Sequence, residues 1–171
     1  MEQSDGSLFT ATVKNRRFAS EQSVYGILLV SGMIVVSGAH GETSWGTFTA
    51  VVSTVVIFWA AHVYAGAIAR HGGIANRGQG MRRALVASAR ESQGLLEAAV
   101  IPCAVLLAGV TRVIPDRMAN WAALWVGVAL LAYLGYIAFA RQGAGPVGRI
   151  VGALSTASFG LLMIVLKALV H

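Results

Sequence analysis

Two ionisable side chains lie inside long apolar stretches of this chain: His62, within 47–69, and Glu97, within 95–114. A charge facing lipid is expensive, so such groups normally turn toward a bundle interior or toward water. His62 stands eight residues before Arg70, about 12 Å along a helix rising 1.5 Å per residue. Glu97 stands one to two turns inside the matching end of its own stretch. Consecutive antiparallel helices would bring both residues to the same half of a bilayer, within reach of each other.

Three chemistries are open to such a pair. Hydrogen-bonded to each other or to nearby hydroxyls, His62 and Glu97 would lock a bundle. Facing water, they could relay protons or hold a cation, since an unperturbed imidazole titrates at about pH 6.5. Thr54 shares four-residue spacing with Phe58, His62 and Gly66, and Tyr64 lies on another face; both are further candidates for an ion or proton path. The third chemistry, a metal or catalytic centre, needs more ligands than the pattern supplies. His40, His71 and His171 fall in loops or at the terminus, on different sides of the membrane, and the spans hold no second carboxylate and no cysteine besides Cys103. HExxH, GxSxG and Walker patterns are missing. The expectation is a non-enzyme with no catalytic residues, no metal and no cofactor.

The elements that must position these residues are five apolar stretches, 24–38, 47–69, 95–114, 121–140 and 147–170. Crossing a hydrocarbon core of about 30 Å takes about 20 apolar residues as a helix. Only 12% of the 171 residues are charged and 56% are hydrophobic, against about 25% charged in an ordinary soluble domain. The predicted fold class is therefore all-α: a polytopic membrane helix bundle with five transmembrane helices. Residues 1–23 form a polar cytoplasmic segment, with Phe9, Val13 and Phe18 at headgroup level beside Lys14, Arg16 and Arg17. Residues 24–171 form the bundle, with a cytoplasmic loop at about 70–93. The first span reads as an anchor and not as a removed signal peptide.

Charge sets the orientation. With the N-terminus inside and the C-terminus outside, ten of the thirteen basic residues face the cytoplasm, leaving Arg112, Arg117 and Lys167 outside. The net charge of +6 thus sits at helix ends, which argues against a nucleic-acid partner. Arg77, Arg82 and Arg83 in the cytoplasmic loop would meet anionic lipid headgroups. That loop opens with a glycine-rich turn at 71–78. From Gln79 a helical pattern returns, read either as an interfacial amphipathic helix or as the start of a longer third span. Trp45, Trp121 and Trp125 suit the opposite interface.

Two features concern packing. Gly148, Gly152, Thr156 and Gly160 recur every four residues in the last stretch, a face on which a second helix can approach closely. The partner helix could belong to the same subunit or to another. An odd span count without internal repeats favours a homo-oligomer. Pro102 frees the carbonyl of Ala98, for a kink or for a hinge beside an ion path. The lone Cys103 reads as a small packing residue.

Val24-Tyr25-Gly26-Ile27-Leu28-Leu29-Val30-Ser31 and Phe58-Trp59-Ala60-Ala61-His62-Val63-Tyr64-Ala65 resemble segments of uncharacterised small multi-pass membrane proteins of actinobacteria, a likeness that implies no activity. Arg17-Phe18-Ala19-Ser20-Glu21-Gln22 has a weaker resemblance to the Arg…Phe-Ser-Asp motif that opens the first, pore-lining helix of bacterial TMEM175-type potassium channels. Here the triplet is not intact, and five helices stand against six per repeat. The functional expectation is an ion or proton channel or transporter of the plasma membrane, with lipid, small ions and further copies of the chain as partners. The alternative is a non-conducting structural or accessory membrane protein.

Overall fold

The computed structural model describes residues 21–39, 43–71 and 80–170. Among these the chain is all-helical, with six helices: α1 (Glu21–Ala39), α2 (Ser44–His71), α3 (Met81–Glu91), α4 (Gln93–Val110), α5 (Asp116–Arg141) and α6 (Pro146–Val170). The expectations for the polar segment up to Ser20, for the glycine-rich turn after His71, and for His40, Arg77 and His171 fall outside the described residues.

Helix ends follow local chemistry. Pro115 precedes α5 in an extended conformation and Asp116 sits in the first turn, where a carboxylate complements the helix dipole; Arg141 closes the last turn. Pro146 opens α6, a position where its missing N–H is no loss. Gly143, at φ +76°, supplies the left-handed residue of the short α5–α6 connection. The apolar run 95–114 outlasts its helix. α4 stops at Val110, and the chain turns through Arg112 at φ 58° toward Pro115. Val113 and Ile114 both donate their N–H to the Ala108 carbonyl, completing that turn.

Four helices, α2, α4, α5 and α6, are long and apolar enough to cross a membrane. α1 is apolar over the shorter stretch Glu21–Ser37, yet it lies at the centre of the bundle and packs against α2, α4, α5 and α6. Ile27, Val30, Ser31, Ile34 and Val35 on α1 are all buried. The helices around it turn large apolar side chains outward, among them Ile57, Val100, Leu154, Leu162 and Leu169. Such an exterior has lipid as its natural surrounding, and the chain has the character of an integral membrane protein.

α3 resolves the two alternatives for the 70–93 segment. It is a separate amphipathic helix, broken from α4 at Ser92, and it packs mainly on α2. Arginines mark this end of the bundle: Arg70 ends α2, Arg82, Arg83 and Arg90 ride on α3, Arg141 ends α5 and Arg149 begins α6.

Candidate functional site

At the arginine-rich end, α1, α2, α3 and Ser92 at the α3–α4 break line an open cleft of about 300 Å³. The last turns of α2 contribute His62, Ala65, Gly66 and Ala69; α3 contributes Ser88 and Glu91, Ser92 marks the α3–α4 break, and Gln22 comes from the first turn of α1. The cleft depends on a small residue. A Cβ on Gly66 would stand 2.9 Å from Ser88 Oγ, so glycine lets α3 lie against α2 with the Ser88 hydroxyl between them.

Two buried polar atoms of this cleft lack partners among the described residues, as do Ser44 Oγ, Thr47 Oγ1, Trp59 Nε1 and Asn120 Oδ1 elsewhere in the bundle. Ser88 is 2% exposed and its Oγ has no hydrogen-bond partner among the described residues; the buried Oε1 of Gln22 has none either. Buried polar groups nearly always find a partner, in protein or in water. Ser92 is buried beside them. At the mouth Arg70 bridges Glu91, tying the end of α2 to the end of α3. Both partners are substantially exposed, and pairs of that kind contribute about 1 kcal/mol or less. The arrangement offers one imidazole, one amide oxygen, two hydroxyls and one neutralised carboxylate around a space large enough for water or a small solute.

His62 lines this cleft from an exposed position on α2, not from the bundle interior expected from the sequence, and it is not half of a His62–Glu97 pair. Its ring lies 5.8 Å from that of Phe58, and no hydrogen bond or ion pair joins it to Glu97 among the described residues. Glu97 falls instead among Gln93, Val100, Ile101 and Ala104 on the outward face of α4, where it is half-buried. Tyr64 is 64% exposed on the outside of α2. Thr54 is half-buried, more than two turns from His62 and outside the residues that line the cleft. Gln22, Ser88, Glu91 and Ser92 were missed as site residues because the 70–93 segment reads mainly as arginine and alanine. The signal that could have found them is the four-residue spacing of Ser88 and Ser92, on the face away from the arginines, opposite a helix carrying Gly66 and His62.

Beyond the cleft the interior is filled by Val30, Ile34, Val51, Val55, Leu106 and Leu124. Polar side chains reappear at the opposite end, where Ser44, Thr47 and Asn120 are buried and Lys167 lies 5.4 Å over the Trp121 ring, a cation–π arrangement. Trp121 is thus partly covered, while Trp45 and Trp125 remain exposed, as interfacial residues would be. Pro102 is buried in α4, and Cys103 is a free thiol packed at the edge of the core.

The small-residue stripe of α6 finds its partner in the same chain. Cβ atoms at Gly152 and Gly160 would run into Phe139, and into Val128 and Leu131, on α5. The Thr156 hydroxyl lies 2.8 Å from the Leu131 carbonyl across the interface and 2.9 Å from the Gly152 carbonyl of its own helix. Gly148 does not share this interface: its Cβ would meet only Ala144 in the preceding turn.

Comparison with family models, curated proteins and solved structures finds no match to this chain. The cleft therefore stands on its own geometry.

Proposed function

We propose that this integral membrane protein binds and passes a small ion or proton through the cleft beside His62. The cleft carries the proposal. It sets the exposed imidazole of His62 next to a deeply buried hydroxyl and an amide oxygen that lack partners among the described residues, at the arginine-rich end of the bundle. α1 serves as a fifth span in this reading: its packing against α2, α4, α5 and α6, which are long enough to cross, supports a shared depth. The arginine-rich end faces the cytoplasm by the positive-inside rule. Cysteine at Gln142 would then label from inside and cysteine at Val113 from outside, in a Cys103→Ser background.

A non-conducting accessory role has one specific observation in its favour. The apolar layer of Val30, Ile34, Val51, Val55, Leu106 and Leu124 closes the interior beyond the cleft, so permeation requires those side chains to move. Flux into liposomes separates the two roles. Purified protein, several cation gradients and a pH-sensitive dye should give flux above empty liposomes. His62→Ala should change its rate or pH profile while the helical spectrum is kept. Flux equal to that of empty liposomes under every gradient would leave the accessory role.

A further inference from the structure

α3 has two faces with different chemistry. Ala84 and Ser88 are buried against the bundle. On the other side Arg82, Arg83, Val86, Ala87 and Arg90 line a groove of about 290 Å³. Their spacing of i, i+1, i+4, i+5 and i+8 keeps them on one helical face. Among the described residues no carboxylate lines this groove, and Glu91, the nearest acid in sequence, is engaged by Arg70. All three arginines are exposed, as is Val86.

We infer that this groove is a binding site for the phosphate of an anionic phospholipid. Guanidinium groups match phosphate oxygens in a fixed fork geometry and are less strongly hydrated than ammonium groups. Three of them around an apolar floor, with no competing carboxylate, complement a phosphodiester whose glycerol and first methylenes lie over Val86 and Ala87. Position favours lipid over a soluble anion. α3 packs on the last turns of α2, where the apolar, lipid-facing surface of that spanning helix gives way to Arg70. A lipid phosphate stands at that level of a membrane. The site goes beyond the general attraction of basic loops to the cytoplasmic leaflet, because it is a shallow, open groove on one face of α3 that sets three arginines around Val86 and Ala87 and adds Arg90 to the arginines singled out by sequence. Ser88 projects from the opposite face of the same short helix into the cleft, so a lipid in the groove would steady the wall on which that cleft depends.

The test uses the full chain in detergent, titrated with short-chain phosphatidylglycerol, with phosphatidylcholine and with inorganic phosphate, and followed by native mass spectrometry. Phosphatidylglycerol should bind in preference to both. A basic residue near an anionic surface contributes about fivefold in affinity, so Arg82→Gln with Arg83→Gln should weaken binding about 25-fold. The charge-matched pair Arg112→Gln with Arg117→Gln, at the opposite end, should leave it unchanged. Equal losses in the two pairs would reduce the effect to net charge and overturn the site. Competition by inorganic phosphate at equal concentration would overturn the lipid as occupant. Should the arginine variant misfold, phosphatidylglycerol with a photoreactive headgroup on the unmodified protein decides instead. Crosslinks in the peptide holding Val86 and Ala87 support the site, and crosslinks spread along the outer faces of the spans overturn it.

Discussion

The α2–α3 and α5–α6 contacts use the same device and reach opposite ends. In each, a small residue lets a second helix approach closely and a hydroxyl sits between the two backbones. At α5–α6 the hydroxyl of Thr156 is satisfied by the Leu131 and Gly152 carbonyls, and the interface is closed by Phe139, Val128 and Leu131. At α2–α3 the hydroxyl of Ser88 faces Gly66, has no partner among the described residues, and opens on a cleft. Small residues at helical spacing therefore report close approach and nothing more. Whether the contact is a joint or a site depends on where the hydroxyl turns.

That contrast can be broken most severely at Gly135. A Cβ there would overlap both Thr156 Oγ1 and the Gly152 backbone, and backbone cannot swing aside as a side chain can. Gly135→Leu should destabilise the protein by roughly 3 kcal/mol or more, seen as a large fall in the thermal midpoint in detergent. An unchanged midpoint would mean that α5 and α6 do not pack as described. A smaller loss is expected from Thr156→Val, which keeps the shape and removes an interhelical hydrogen bond; such bonds contribute about 1 kcal/mol. Ser88→Ala should change stability least, by less than about 0.5 kcal/mol, because the hydroxyl it removes has no protein partner to strand. The same substitution should alter flux if the cleft conducts. A destabilisation by Ser88→Ala as large as that by Thr156→Val would show that the two interfaces are both joints.

Most of the helical architecture was legible because lipid imposes a blunt rule: about 20 apolar residues per crossing. The stretches at 47–69 and 121–140 each grew by several residues and that at 147–170 by one, where Arg70, Asp116, Arg141 and Pro146 supply caps and charges that hydrophobicity does not register. The run at 95–114 was longer than its helix, since Val113 and Ile114 are apolar but belong to a turn. The site was less legible. Depth along a span can be counted from Arg70 to His62, but azimuth cannot be fixed without neighbours, and Glu97 shares the right depth on the wrong face. The glycine stripe announced a close contact without naming its partner, which proved to be α5 of the same chain. With that partner found, the stripe no longer argues for self-association.

The central place of α1 has a consequence for how the chain assembles. α1 is made before the helices that cover it, with Ser23, Ser31 and Ser37 on a helix that is short for a bilayer. Of the four helices that cover it, α2 follows at once, while α4, α5 and α6 lie far along the chain and begin at Gln93, Asp116 and Pro146. Until they arrive those hydroxyls have only lipid, water or α2 beside them. Burial of α1 therefore depends on contacts far apart in sequence, and such contacts form late. A nascent chain that ends before α4 should hold α1 loosely, open to extraction or degradation, and gain resistance stepwise as each later helix closes around it.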